Sequence, residues 1–484
     1  MRASATAALL LLLVSATITN TATARVSEWQ QLGAALQGSS GDEFGWSVSL
    51  AGSGARVAVG APRSNSSGTG ATAAGAGEVR VFERVEGEGG EEWVQAGSAL
   101  PGTIAGESAS GSGSGSGYAL SLSADGARVA VGAPLHNETG AVQVFEYLYD
   151  KSLWLQLGDG VAGEASGSRC GHAVSLSADG TRVAVGAPYH GDATDPSAGL
   201  VRVYELHSET WVQIGGDITG ESGDESGWAV SLSSDGARLA VGAPLNGGGG
   251  LNAGRVLVYE YDAAAGWVQI GDDIYGEAPG DQSGAAISLS SGGNRLAIGA
   301  AFNDGGGDNA GHVRIFEYNS SAASAWVQWG DDIDGEAAGE RSGTSLSFSS
   351  SGTRVAVAVP PSISGGSTAG KLRMYDLDEA LFTWVQVGTT IVGGDDAREG
   401  GTVASLSADG TMVAFGSYYG ADRASVWQFP TEPTPQPSAG PSTVPTVSPN
   451  SPLSEDDIGL CNLVYHTTIG SLLMTDNSWN CVDV

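Results

Sequence analysis

The stretch that decides the fold runs from Trp211 to Glu260. It opens as Trp211-Val212-Gln213-Ile214-Gly215, crosses an acidic Gly-rich segment, and continues as Gly227-Trp228-Ala229-Val230-Ser231-Leu232-Ser233. Ser234-Asp235-Gly236 follows, then Arg238-Leu239-Ala240-Val241-Gly242-Ala243-Pro244, a polar loop, and Arg255-Val256-Leu257-Val258-Tyr259-Glu260. Four alternating runs of four to seven residues, bounded by Gly, Asp or Pro, read as four short strands. Asp-Gly between the second and third runs is a hairpin signal, because tight primed turns require positive φ. In the third run branched residues alternate with Ala or Gly, which lets sheets approach closely on both faces.

The same unit recurs along the chain. Trp29, Trp93, Trp154, Trp211, Trp267, Trp326 and Trp384 head successive copies. The Asp-Gly turn returns at Asp125-Gly126, Asp179-Gly180 and Asp409-Gly410. A period of this length predicts a repeat architecture. Four-stranded antiparallel sheets stacked radially satisfy the packing requirement, so the expected fold is all-β, a seven-bladed β-propeller over residues 25–429. An open solenoid would need polar caps at its ends, and none is evident. The chain enters on the Trp29 strand and leaves its last unit at Ala424-Ser425-Val426-Trp427-Gln428-Phe429 with no Trp strand to follow. The N-terminal strand is therefore expected to complete the last blade, which removes an exposed sheet edge.

These residues resemble a known family. Phe44-Gly45-Trp46-Ser47-Val48-Ser49-Leu50 followed by Val59-Gly60-Ala61-Pro62 is similar to the FG-GAP repeat of integrin α-subunit propellers and related surface proteins. Gly-Ala-Pro recurs at Gly132, Gly186 and Gly242 and decays to Gly299-Ala300-Ala301, Ala358-Val359-Pro360 and Gly416-Ser417-Tyr418. The resemblance implies a binding role exercised through the propeller's upper face. The family's Asp-x-Asp-x-Asp-Gly calcium loops are replaced here by turns such as Ser177-Ala178-Asp179-Gly180, with one carboxylate each, whereas calcium takes six to eight oxygens. The family's metal sites are therefore not carried over.

Composition agrees with many short strands: 76 glycines accompany 41 % hydrophobic residues. The formal charge is −33, from 54 acidic and 21 basic residues, so nucleic acid is excluded as a partner by phosphate repulsion. Residues 1–24 read as a signal peptide, with a basic start, an apolar run from Ala7 to Val14 and Ala22-Thr23-Ala24 before Arg25. That run is too short to span a bilayer, so the mature chain is expected to be secreted, in the extracellular space or cell wall, and peripheral to a membrane at most. Three cysteines in a secreted chain leave the propeller to core burial.

Strand direction sorts the loops. With the Asp-Gly turns below, the loops after Gly-Ala-Pro and the linkers after the Trp strands share an upper face. That face gathers Asp217, Glu221, Asp224, Asp272, Asp273, Glu277, Asp281, Asp331, Asp332 and Glu336, the candidate partner-contacting residues, together with Tyr189, His136 and His190. Weak calcium binding is compatible with such loops; no cofactor, metal centre or catalytic residue is otherwise expected. His172 fills the position of Trp46, Tyr118 and Trp228 and reads as structural, as does Cys170. Asn65, Asn137 and Asn319 head N-x-Ser/Thr sequons in predicted loops.

Residues 430–452 turn to Pro, Ser and Thr, an extended stalk or linker, and 453–484 form a small segment in which Cys461 and Cys481 can pair as a disulfide. The functional expectation is a monomeric, non-catalytic binding or adhesion scaffold for an extracellular protein or glycan. A calcium-dependent lectin-like module and a secreted hydrolase using upper-face carboxylates are the alternatives.

Overall fold

The computed structural model describes residues 28–430, apart from 66–74, 88–89, 102–114, 192–194, 196, 322–324, 362–368, 394–402 and 418–421, and a separate hairpin of Leu473–Thr475 with Ser478–Asn480. The chain divides into two compact units, Met1–Pro430 and Thr431–Val484. The signal peptide, the stalk and the Cys461–Cys481 pair lie outside the described residues.

Unit 1 is all-β and consists of seven antiparallel sheets. Blade 4 shows the plan: an inner strand Ala229–Leu232, then Arg238–Ala243, Arg255–Asp262 and an outer strand Gly266–Gln269 carrying Trp267. The other inner strands are Ser47–Leu50, Ala119–Leu122, Ala173–Leu176, Ala286–Leu289, Ser345–Phe348 and Val403–Leu406, which number the remaining blades in chain order. Blade 7 takes its outer strand from the other end of the chain: Gln30 pairs with Gln428, Gln31 with Trp427 and Leu36 with Ala424.

A fifth, two-residue strand in each blade was not foreseen. Ile274–Tyr275 pairs with Val256 and Arg255, so the outer strand is one strand broken in the middle. The break explains the Trp-x-Gln-x-Gly element. Gly271 turns at φ +77°, Gln269 donates to its carbonyl at 3.2 Å, and a Cβ there would lie 2.7 Å from Cδ1 of Trp326 in the next blade. Glycine serves both the positive φ and the approach of that indole.

Hydrophobic burial occurs between blades rather than at one centre. Val201, Val203, Leu239 and Val241 pack in one such layer between blades 3 and 4. Second strands such as Leu239–Ala243 are buried on both faces, which accounts for their alternation of branched and minimal side chains. Polar contacts then close the ring. Each inner strand has an edge with no partner in its own sheet, and buried N–H groups left unpaired are costly. The repeated serines meet it. Ser49 accepts from the Leu122 amide, Ser121 from Leu176, Ser175 from Leu232, Ser231 from Leu289, Ser288 from Phe348, Ser347 from Leu406 and Ser405 from Leu50, at 2.9–3.1 Å. Just below, backbone amides form a second closed circle: Ser53 to Ala124, Ala124 to Ala178, Ala178 to Ser234, Ser234 to Ser291, Ser291 to Ser350, Ser350 to Ala408 and Ala408 to Gly52. An outer circle is made by the tryptophans, each indole N–H donating to a carbonyl of the preceding blade, as Trp267 does to Ile214 at 3.1 Å and Trp29 to Val387 at 3.2 Å.

The Phe-Gly and Gly-Ala-Pro glycines face one another across blades. A Cβ at Gly242 would collide with the carbonyl of Gly284, and one at Gly186 with that of Gly227. Ser231→Ala strands the Leu289 amide and is expected to cost about 1–2 kcal/mol, whereas Gly242→Ala forces two blades apart and is expected to cost more than about 3 kcal/mol. Urea unfolding of the two variants checks that order.

Candidate functional site

Parallel bridges Gly77–Ser116, Gly140–Cys170, Gly199–Ser226 and Gly254–Ser283 join the post-Gly-Ala-Pro loops of blades 1 to 4 to the linker that enters the following blade. The two loop sets therefore share the upper face. Arginines from third strands reach into it and take up much of its acid. Arg202 holds Asp217 through Nε and Nη2 at 2.7 and 2.8 Å and Glu164 at 2.9 Å. Arg255 meets Asp224 at 2.7 Å, Asp273 at 3.0 Å and Glu221 at 3.2 Å. Arg373 joins Glu336 and Glu340, and Lys371 reaches Glu340 at 2.6 Å. In blade 5, Arg314 lies 3.4 Å from Glu277 and donates to the Tyr275 carbonyl.

The ten candidate acids thus divide. Asp224 and Asp281 are buried and hold the loops to the linkers, accepting from Asn246 at 2.9 Å and Asn303 at 3.1 Å. Asp217, Glu221, Asp273, Glu277 and Glu336 share the rim with arginines, and Asp332 faces His312. Asp272 and Asp331 are exposed. Hydrogen bonds from Arg202 hold the Asp217 carboxyl below its usual range. Burial by itself would raise Glu340, but the hydrogen bonds from Arg373 and Lys371 outweigh it and bring its pKa to about 2. Spacing alone hides this pairing, because partners 15 to 38 residues apart meet only once the blades are docked.

A second feature stands at the upper ends of the inner strands. The position after the glycine of the Phe-Gly element holds Trp46, Tyr118, His172 and Trp228 in four successive blades, then Ala285 and Thr344. The four rings form an arc with centroid separations of 5.2, 5.1 and 4.6 Å. Tyr189 meets His172 and Trp228 edge-on, and the Arg169 guanidinium lies 4.5 Å over its ring. Trp46, Tyr118, Trp228 and Tyr189 are half-buried. Burial pushes the His172 imidazole down to about 4, so it is neutral at physiological pH; the ring lies 3.3 Å from the Trp228 carbonyl and 3.4 Å from the Tyr118 hydroxyl. Glu43 and Glu225, beside this arc in sequence, are raised by burial. The repeat slot was legible in the sequence; its assembly into a continuous surface was not.

Cys170 is buried, with its thiol pushed up to about 12 by burial. The cavity beside it, lined by Glu164, His190, Arg202 and Tyr204 among others, measures about 20 Å³, room for about one water. Asn65, Asn137 and Asn319 are exposed, although Ser66 and Ser67 of the first sequon lie outside the described residues.

A family model described as FG-GAP repeat matches residues 30–78 and 219–259. Comparison with curated proteins finds no match. Among solved structures, a chain described as a candidate 6-phosphogluconolactonase of Bacteroides uniformis aligns with a TM-score of 0.48 and 14 % identity, over 72 % of this chain and 85 % of that one.

The Glu340 environment generates a pH prediction. Its folded pKa is depressed from 4.5 to about 2, so its stabilising contribution is present above pH 4.5 and lost as pH falls through about 2. Glu340→Gln should therefore lower the urea midpoint at pH 6 and differ little from wild type at pH 2. Seven blades of one plan, fastened by repeated Trp, Ser and Gly positions, make this chain a β-propeller, two stretches of which match the FG-GAP repeat.

Proposed function

We propose that the protein is a non-catalytic extracellular binding scaffold whose upper face engages a protein or glycan partner. The FG-GAP propeller fold suits a binding scaffold, with a rigid ring presenting loops on one side. The aromatic arc of Trp46, Tyr118, His172 and Trp228 is the observation that carries the reading. Half-buried aromatic rings with polar tips offer large contact area at small entropic cost and recur in recognition sites. The signal-peptide pattern of residues 1–24 and the exposure of Asn65, Asn137 and Asn319 support an extracellular location.

Groups able to do chemistry are poorly placed for it. A thiol held at about 12 is not a nucleophile near neutrality. An imidazole held at about 4 is a weak general base. Many of the rim carboxylates are already engaged by arginine. These points favour binding over hydrolysis, and the split among the candidate acids moves the expected contact surface from the rim toward the arc.

A glycan array and a panel of extracellular matrix proteins, probed with wild type and with the Trp46→Ala/Trp228→Ala variant, test the proposal. Wild type should retain a ligand that the variant binds at least tenfold more weakly, with unchanged unfolding midpoint. Equal retention by both proteins would move recognition away from the arc, and turnover of an arrayed glycan would favour the hydrolase.

A further inference from the structure

Blades 4 and 5 present the same upper-rim geometry with one difference. In blade 4 the first residue of the third strand is Arg255, whose Nη1 sits between Glu221 of the preceding linker and Asp273 of the following one, at 3.2 and 3.0 Å. In blade 5 the equivalent carboxylates are Glu277 and Asp332, and the residue at the head of the strand is His312. The imidazole is shorter than an arginine and stops short of both. Its Nδ1 lies 3.9 Å from Glu277 and 3.8 Å from Asp332. The ring is 1 % exposed, and Nε2 is buried without a hydrogen-bond partner among the described residues.

We propose that Glu277, His312 and Asp332 form a site for a divalent transition-metal ion of the zinc class, which occupies the place taken in blade 4 by the Arg255 guanidinium. One nitrogen and two carboxylate oxygens lie within 4.8 Å of one another. Ligand atoms about 2.0–2.2 Å from a tetrahedral zinc ion stand roughly 3.4 Å apart, so each carboxylate must close on Nδ1 by about half an ångström. The carboxylates supply it, since the Glu277 side chain is 44 % exposed and that of Asp332 28 %, while the histidine is fixed.

Two features select this occupant. The carboxylates supply negative charge, and Asp281 adds to it from the same linker; Arg314, 3.4 Å from Glu277, offsets part of it and spends another donor on the Tyr275 carbonyl. A nitrogen donor with few oxygens suits zinc rather than calcium, which prefers six to eight oxygens. Glu277 opens the site to solvent, where a fourth ligand completes the shell.

Calorimetric titration of the full-length, untagged protein with ZnCl2 and with CaCl2 at pH 7.5 tests the site, with the Zn2+-dependent rise in melting temperature as a second readout. Saturable zinc binding is expected, with calcium at least tenfold weaker. Asp332→Asn and Glu277→Gln should each weaken zinc binding at least tenfold and reduce the thermal shift. Asp331→Asn, at the exposed neighbouring carboxylate, should leave both unchanged. Melting in EDTA shows whether each variant is folded; if His312→Gln is not, the two carboxylate variants decide. No saturable zinc binding, binding that survives Asp332→Asn, or calcium binding as tight as zinc would each overturn the assignment. None of these outcomes bears on recognition by the aromatic arc.

Discussion

An inner propeller strand has a hydrogen-bonding edge facing the ring axis and no neighbour within its own sheet to satisfy it. The remaining architecture follows from how that edge is met. A free edge invites pairing with other chains and leaves amides unsatisfied. Here each inner strand leans on the next blade: a serine hydroxyl takes one amide, and a backbone carbonyl one turn below takes another. Both circles return to their start, Leu50 to Ser405 and Ala408 to Gly52, so blade 7 is as fully partnered as the others. Individual bonds of this kind contribute about 1 kcal/mol, less than the burial between blades. They determine how blades dock, while burial determines that they do. A set of serine acceptors with a fixed stagger suits one blade-to-blade rotation, and seven such rotations close.

The outer part of the ring uses a different device for the same purpose. Each indole both buries apolar area and donates to the carbonyl three residues past the previous tryptophan, as Trp93 does to Leu32 and Trp154 to Ala96. An indole can bury on the order of 150–250 Å², so its hydrophobic contribution exceeds that of the bond it makes. Glycine at the strand break is what admits the ring. Because Trp29 donates to Val387 of blade 6, the first segment of the chain is held by both the outer circle and the sheet of blade 7. Closure by a strand from the opposite terminus means that the ring cannot open at that blade without breaking strand pairs.

Much of this was legible in the sequence, and the reasons differ by residue. Trp-x-Gln-x-Gly spacing, Asp-Gly turns and branched/minimal alternation are local signals, and they give blade number, turn positions and sheet-on-sheet packing directly, but not the break that adds a fifth short strand to each blade. The Ser-Leu-Ser run reads locally only as an alternating strand. Its first serine acquires a role when the next blade, some 55 residues away, brings an amide to it. Pairing of Arg373 with Glu336 and Glu340 is hidden for the same reason, since charge patterning cannot say which of many acids a given arginine will reach. His312 could be aligned with Arg255 by eye, yet only three dimensions show that a shorter side chain leaves two carboxylates facing an imidazole across nearly 4 Å.

The separation of charge from aromatic surface has a consequence for recognition. With a net charge of −33, a chain of this kind carries a negative field over most of its surface. The arginines that engage the linker acids lie along the upper rim, where neither the serine nor the tryptophan circle reaches, so these pairs add a fastening between loops and blades. Exposed pairs such as Arg202–Glu164 are worth little by themselves, but the buried Glu340–Arg373 contact is screened much less. Rim carboxylates such as Asp272 and Asp331 remain in solvent. A ligand that reaches the arc of Trp46, Tyr118, His172 and Trp228 crosses that field first. The combination favours neutral or cationic partners and opposes sulfated or otherwise anionic ones, because like charges brought together at an interface slow association and cost affinity. Under the proposed binding role, selectivity would come from the rim and contact energy from the rings.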